Sequence, residues 1–184
     1  MKGYRRAHPQ FSLCGLNCAL CVMHIGGYCP GCGGGEGNQP CAIIRCALAH
    51  DAVEYCRQCS DYPCARYEGA LEYDLFIPSG NRRRDLERAE RMGLEAYLAE
   101  LAEKADILLN LLRDYNDGRR KTLYCAAANL LSLDGLRTVM AQLSQGVNEN
   151  RPLKDKATQA AALLQTAADA EGVSLKLKKK PKTQ

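Results

Sequence analysis

From Leu94 onward, apolar side chains return every three or four residues, the repeat that places them on one face of a helix. Leu94, Leu98 and Leu101 begin a stripe that Ile107, Leu108, Leu111 and Leu112 carry to Tyr115, where Asn116-Asp117-Gly118 ends it. The same period predicts helices over 119–131 and 134–145. It predicts a last one over 153–171 on Leu153, Ala157, Ala160, Leu164 and Ala167. Asn150 and Pro152 mark the start of that last helix, and Gly172 its stop. Upstream, 82–92 reads as a charged helix closed off by Gly93. Val173 to Leu177 alternates over five residues, which suits a short edge strand or a tail.

The first third has a different pattern. Residues 1–13 read as a lead-in, poorly ordered except around Phe11 and Leu13. Residues 14–26 suit a short helix stopped by Gly26-Gly27, and the glycine-rich stretch from Cys29 to Pro40 follows as a loop. Those glycines are expected to let backbone N–H groups turn toward sulfur. A second helix is expected within 41–56. Cys56 to Cys64 should be irregular, because Pro63 disfavours helix at Tyr62. The expected fold is therefore mainly α, with a small irregular cysteine-rich metal-binding module over 1–70, a linker over 71–81, and a helical bundle over 82–184 that ends in a basic tail.

Cysteine usage is what marks the module. Ten of the eleven cysteines lie between Cys14 and Cys64, and Cys125 is the eleventh. Cys29-Pro30-Gly31-Cys32 and Cys56-Arg57-Gln58-Cys59 have the spacing with which one turn offers two sulfurs to one ion. Cys14, Cys18 and Cys21 stand at i, i+4 and i+7, one face of a helix if that segment is helical. No signal-peptide pattern precedes them, so a reducing, cytoplasmic setting is expected, where clustered thiols are metal ligands rather than disulfides. All ten, Cys14, Cys18, Cys21, Cys29, Cys32, Cys41, Cys46, Cys56, Cys59 and Cys64, are candidate ligands. Zn²⁺ in tetrahedral thiolate sites is the leading assignment and a [4Fe–4S] cluster the alternative, since both want sulfur. The spacing of Cys14, Cys18 and Cys21 also occurs in radical S-adenosylmethionine enzymes, but Leu20 stands where those carry an aromatic, and no barrel pattern follows. His24 and His50 are within reach as further ligands and are read as ordinary polar neighbours instead.

The run Cys14-Gly15-Leu16-x-Cys18-x-x-Cys21, Cys29-x-Gly31-Cys32, Cys41-x-Ile43-x-x-Cys46 and Cys56-x-x-Cys59-x-x-Tyr62-Pro63-Cys64 resembles the DUF3795 family of small bacterial and archaeal proteins. Asp117-Gly118-Arg119, with Cys125 and Asn129 in the following helix, is similar to a later segment of its longer members. The resemblance implies a zinc-binding cysteine-rich domain and no particular reaction.

Net charge is +4, and five lysines crowd the last nine residues, so the excess sits in a tail. Such a tail could meet nucleic acid or anionic lipid, and a solvated terminus is the preferred reading. Arg119, Arg120, Cys125 and Asn129 form a candidate anion or redox site where a helix start could face the module. The expected partner is another protein or a small anionic ligand. No general base, nucleophile pair or cofactor fingerprint marks an enzyme.

Overall fold

The structure, a computed structural model, describes residues 3–36, 41–50, 52–145 and 151–181. Asn150, Lys182 and the loop end from Gly37 to Pro40 lie outside the described residues. The fold is mainly helical, with eight α-helices and no strand among the described residues. Val173 to Leu177 is thus not an edge strand. It is an extended tail, with Leu175 tucked into the core.

In chain order the helices are α1 (Val22–Ile25), α2 (Ala42–Ala49), α3 (Ala65–Gly69), α4 (Arg82–Met92), α5 (Leu94–Asp114), α6 (Lys121–Leu130), α7 (Leu133–Gln145) and α8 (Leu153–Ala170). Two 3₁₀ turns, Cys18–Leu20 and Cys56–Gln58, interrupt the irregular segments. Gly93 separates α4 from α5 with φ at +88°, a conformation that costs glycine least. α3 is an element that no periodicity announced.

The long helix α5 is the axis of the molecule, touching α4, α6, α7, α8 and the first 3₁₀ turn. Its Tyr97, Leu101, Leu108 and Leu111 are buried. α6 packs closely because its buried face is small: Cys125, Ala126, Ala127 and Ala128 are fully enclosed. Lys104 of α5 is also buried, and its ammonium donates to the Leu131 carbonyl at 2.7 Å. That places a cation where the end of α6 leaves carbonyls unpaired. At the start of α7, the Ser132 hydroxyl accepts from the Gly135 N–H at 3.0 Å.

Module and bundle share one core. Phe11, Leu13 and Leu20 are buried in the same apolar cluster as Tyr97, Leu108 and Leu136. The Phe11 ring lies 5.5 Å from that of Tyr55 and 4.7 Å from that of Tyr97, so it joins both halves. Contrary to the expected loose lead-in, residues before Phe11 are tied down. Arg6 donates to the Phe11 carbonyl at 2.7 Å and the Glu54 carbonyl at 2.9 Å, with its guanidinium over the Tyr55 ring. Within 71–81, Ile77, Pro78, Ser79 and Asn81 are buried.

A polar network crosses the same boundary. The Tyr97 hydroxyl donates to Asn17 at 2.9 Å, and Asn17 and Asn81 donate to one Asp85 oxygen at 2.9 and 2.6 Å. Burial pushes the Asp85 carboxyl above its usual range, against the pull of Arg84, Lys104 and Arg88. A carboxyl with a raised folded-state pKa binds its proton more tightly folded than unfolded. Its ionisation therefore costs stability progressively as pH rises from the ordinary value of about 4 through the folded one. Urea melts at stepped pH should thus show Asp85→Asn gaining on the native chain as pH rises from about 4. A gap that moves the other way would contradict this assignment.

Candidate metal centre

The chain reverses after Cys14 because Gly15 sits at φ +86° against α4. A Cβ there would lie 2.3 Å from the Arg82 carbonyl oxygen. Cys18 then opens a 3₁₀ turn, and Cys21 is extended (φ −98°, ψ 130°) before α1 begins. Cys14, Cys18 and Cys21 are consequently not on one helical face, which corrects the expectation of a single helix over 14–26. The second expected helix is also shorter than 41–56. α2 ends at Ala49, and Ala52 has φ at +52°.

Four cysteines from three segments border one cavity. Cys46 of α2, Cys56 and Cys59 at the two ends of the second 3₁₀ turn, and Cys64 capping α3 line a single cavity of about 30 Å³. Ile43, Ala47, Val53, Tyr62 and Tyr67 supply apolar walls. His50 borders the same cavity. Its Nδ1 is 2.9 Å from the Cys46 carbonyl oxygen and 3.7 Å from the Cys46 sulfur, and its Nε2 is 3.6 Å from Asp61. Burial first, and then the neighbouring Cys14, Cys64, Cys46 and Cys59, push the Cys56 thiol well above the usual range. Crowded, half-buried sulfurs repel one another as thiolates, and a cation among them reverses that penalty.

Cys14 also neighbours Cys18 and Cys32. Burial, followed by Cys32, Cys14 and Cys21, pushes the Cys18 thiol up, while the Cys32 backbone N–H opposes that rise. Backbone N–H groups of Met23 and His24 face the Cys21 sulfur, and that of Leu13 faces the Cys32 sulfur. The Met23, His24 and Leu13 donors come from helix and lead-in positions, while the Cys32 donor comes from the glycine-rich loop itself. That loop also lies against the lead-in: a Cβ at Gly31 would lie 2.5 Å from the Pro9 carbonyl oxygen. Cys14 is buried, with its sulfur 3.1 Å from the Ser12 hydroxyl, and Tyr67 donates to its carbonyl at 3.1 Å. Cys29 and Cys41 are half-buried, the latter at the start of α2. His24 Nδ1 is 2.9 Å from the Cys29 carbonyl oxygen. Among the described residues, no group of three or more His, Cys, Asp or Glu side chains stands close enough to hold an ion as placed. No disulfide links the eleven cysteines.

The four residues of the candidate anion or redox site divide into two pairs. Cys125 and Asn129 are buried on α6 against the module. Asn129 donates to the Cys125 carbonyl at 2.8 Å and to the Leu20 carbonyl at 3.5 Å. The Cys125 sulfur faces the Val22 N–H and Cys21, and burial first, then Cys21, pushes its thiol up to about 12. Arg119, which is exposed, and Arg120 precede α6. Arg120 donates to Thr158 of α8 at 3.3 Å and pairs with Asp117 at 3.7 Å. The polar network around Asp85 had no sequence signal, because Asn17, Asn81, Asp85 and Tyr97 are scattered through four segments of the chain.

The chain matches no family model, no curated protein and no solved structure. Among the described residues, no helix is long and apolar enough to cross a membrane.

Proposed function

We propose that this chain is a thiolate metal-binding protein, with zinc in a structural role and the assembled surface serving as a binding or adaptor unit. The observation that carries the reading is the convergence of Cys46, Cys56, Cys59 and Cys64 on one cavity from three separate segments. Four thiols with apolar walls are the donor set of a closed structural zinc site, and zinc bound there would pin α2 and α3 to the intervening turn. Cys14, Cys18, Cys21, Cys29, Cys32 and Cys41 are the donors available for further metal. The resemblance to the DUF3795 family supports the same assignment, and with it a bacterial or archaeal, cytoplasmic protein whose partner is another protein or a small anion.

The test is metal content across serine variants of the purified protein. Cys59→Ser and Cys64→Ser should each lower zinc per chain relative to the parent, while Cys125→Ser should leave it unchanged. Equal zinc in all of them would remove these thiols from the ligand set. Iron with acid-labile sulfide in the parent would replace zinc by a cluster.

A further inference from the structure

The lysine-rich end of the chain is not a free tail where it passes residues 73–76. The Asp74 N–H donates to the Lys178 carbonyl at 2.8 Å, and the Lys178 N–H donates back to the Asp74 carboxylate at 2.6 Å. Leu175 is buried three residues earlier, and the Lys178 ammonium lies 5.8 Å from the Tyr73 ring centroid. The next two residues of the clamped loop, Leu75 and Phe76, are 64% and 55% exposed, whereas Ile77 is enclosed. Two adjacent large apolar side chains therefore project beside Lys176, Lys178, Lys179 and Lys180, all exposed. Asp74 is occupied by backbone donors of Ser79 and Lys178, so Glu72 is the acid this loop exposes.

We propose that this loop and tail form a docking surface for an anionic lipid bilayer. None of its residues lines the four-thiol cavity, and it does not depend on the metal assignment. An apolar tip that enters the headgroup region and a cluster of lysines are the two signals that together hold a protein at a membrane surface. Each lysine near an anionic surface strengthens partition about fivefold, so four act cooperatively with a shallow wedge. Single-stranded nucleic acid fits less well, because it is held by successive free rings. Here Lys178 covers Tyr73, and Leu75 offers no stacking face.

Co-sedimentation of the full chain with vesicles tests this. Phosphatidylcholine containing phosphatidylglycerol should pull the protein down at low salt, and phosphatidylcholine alone should not, with binding weakened by added salt. Leu75→Ser combined with Phe76→Ser should weaken binding at least about tenfold, a loss of about 1.4 kcal/mol, with an unchanged thermal melt. The chain has no tryptophan, so Phe76→Trp makes a unique reporter whose emission should shift to the blue on anionic vesicles. Four results would each overturn the proposal: no binding to anionic vesicles, binding that ignores the Leu75 and Phe76 changes, unshifted emission from the Phe76→Trp variant, or tighter binding to a single-stranded oligonucleotide.

Discussion

Stripping metal with a strong chelator should unfold the region from Cys14 to Cys64 while leaving most of the helical signal in place. That region contributes few helical residues: α1 has 4 and α2 has 8, against 21 in α5 and 18 in α8. Structural zinc binding supplies about 10–16 kcal/mol in small domains, as much as the whole net stability of an ordinary one. Losing it should release the contacts that hold Tyr62 and Tyr67 around the four-thiol cavity and loosen Tyr55, which precedes Cys56. Near-UV dichroism from these tyrosines should collapse, far-UV dichroism should fall only modestly, and protease should begin to cut between Cys56 and Cys64. A metal-free protein with full near-UV signal and full protease resistance there would mean that packing alone holds the module.

Phe11→Ala should be the most damaging single change outside the cysteines. The ring is fully buried and touches aromatic partners in both halves, Tyr55 of the module and Tyr97 of α5. Deleting a buried Phe typically costs about 3–5 kcal/mol, a large part of the roughly 5–15 kcal/mol that holds a domain folded. Phe76, 55% exposed, is the built-in comparison, and Phe76→Ala should stay within about 0.5 kcal/mol of the parent. Urea unfolding midpoints of the two variants decide the matter. Equal midpoints would show that Phe11 is not the joint between module and bundle.

The helical half was legible because its apolar residues repeat at helical spacing and glycine stops most of the runs, at Gly93, Gly118 and Gly172. α4, α5, α7 and α8 fall within a residue or two of where the pattern puts them. The module was legible only as chemistry. Its clustered cysteines set the segment apart, but where each thiol goes depends on turns that sequence spacing does not encode. Cys14, Cys18 and Cys21 illustrate this, since the close approach of Gly15 to α4 breaks the helix that would have aligned them. Convergence of Cys46 with Cys56, Cys59 and Cys64 on one cavity is tertiary, since it joins α2 to residues that follow it in irregular chain. Lys176, Lys178, Lys179 and Lys180 of the tail are exposed, as their run suggests, but the anchoring of their backbone by Leu175 and the reciprocal bonds to Asp74 had no sequence signal.

Metal-edge X-ray absorption on the purified, metal-replete chain tests the central claim most directly. It reads which element is bound and which atoms surround it. The four-thiol cavity predicts zinc in a shell of sulfur alone, with the sulfur signal reduced in Cys46→Ser and Cys56→Ser. A protein without bound metal, or a metal held mainly by oxygen and nitrogen, would contradict it.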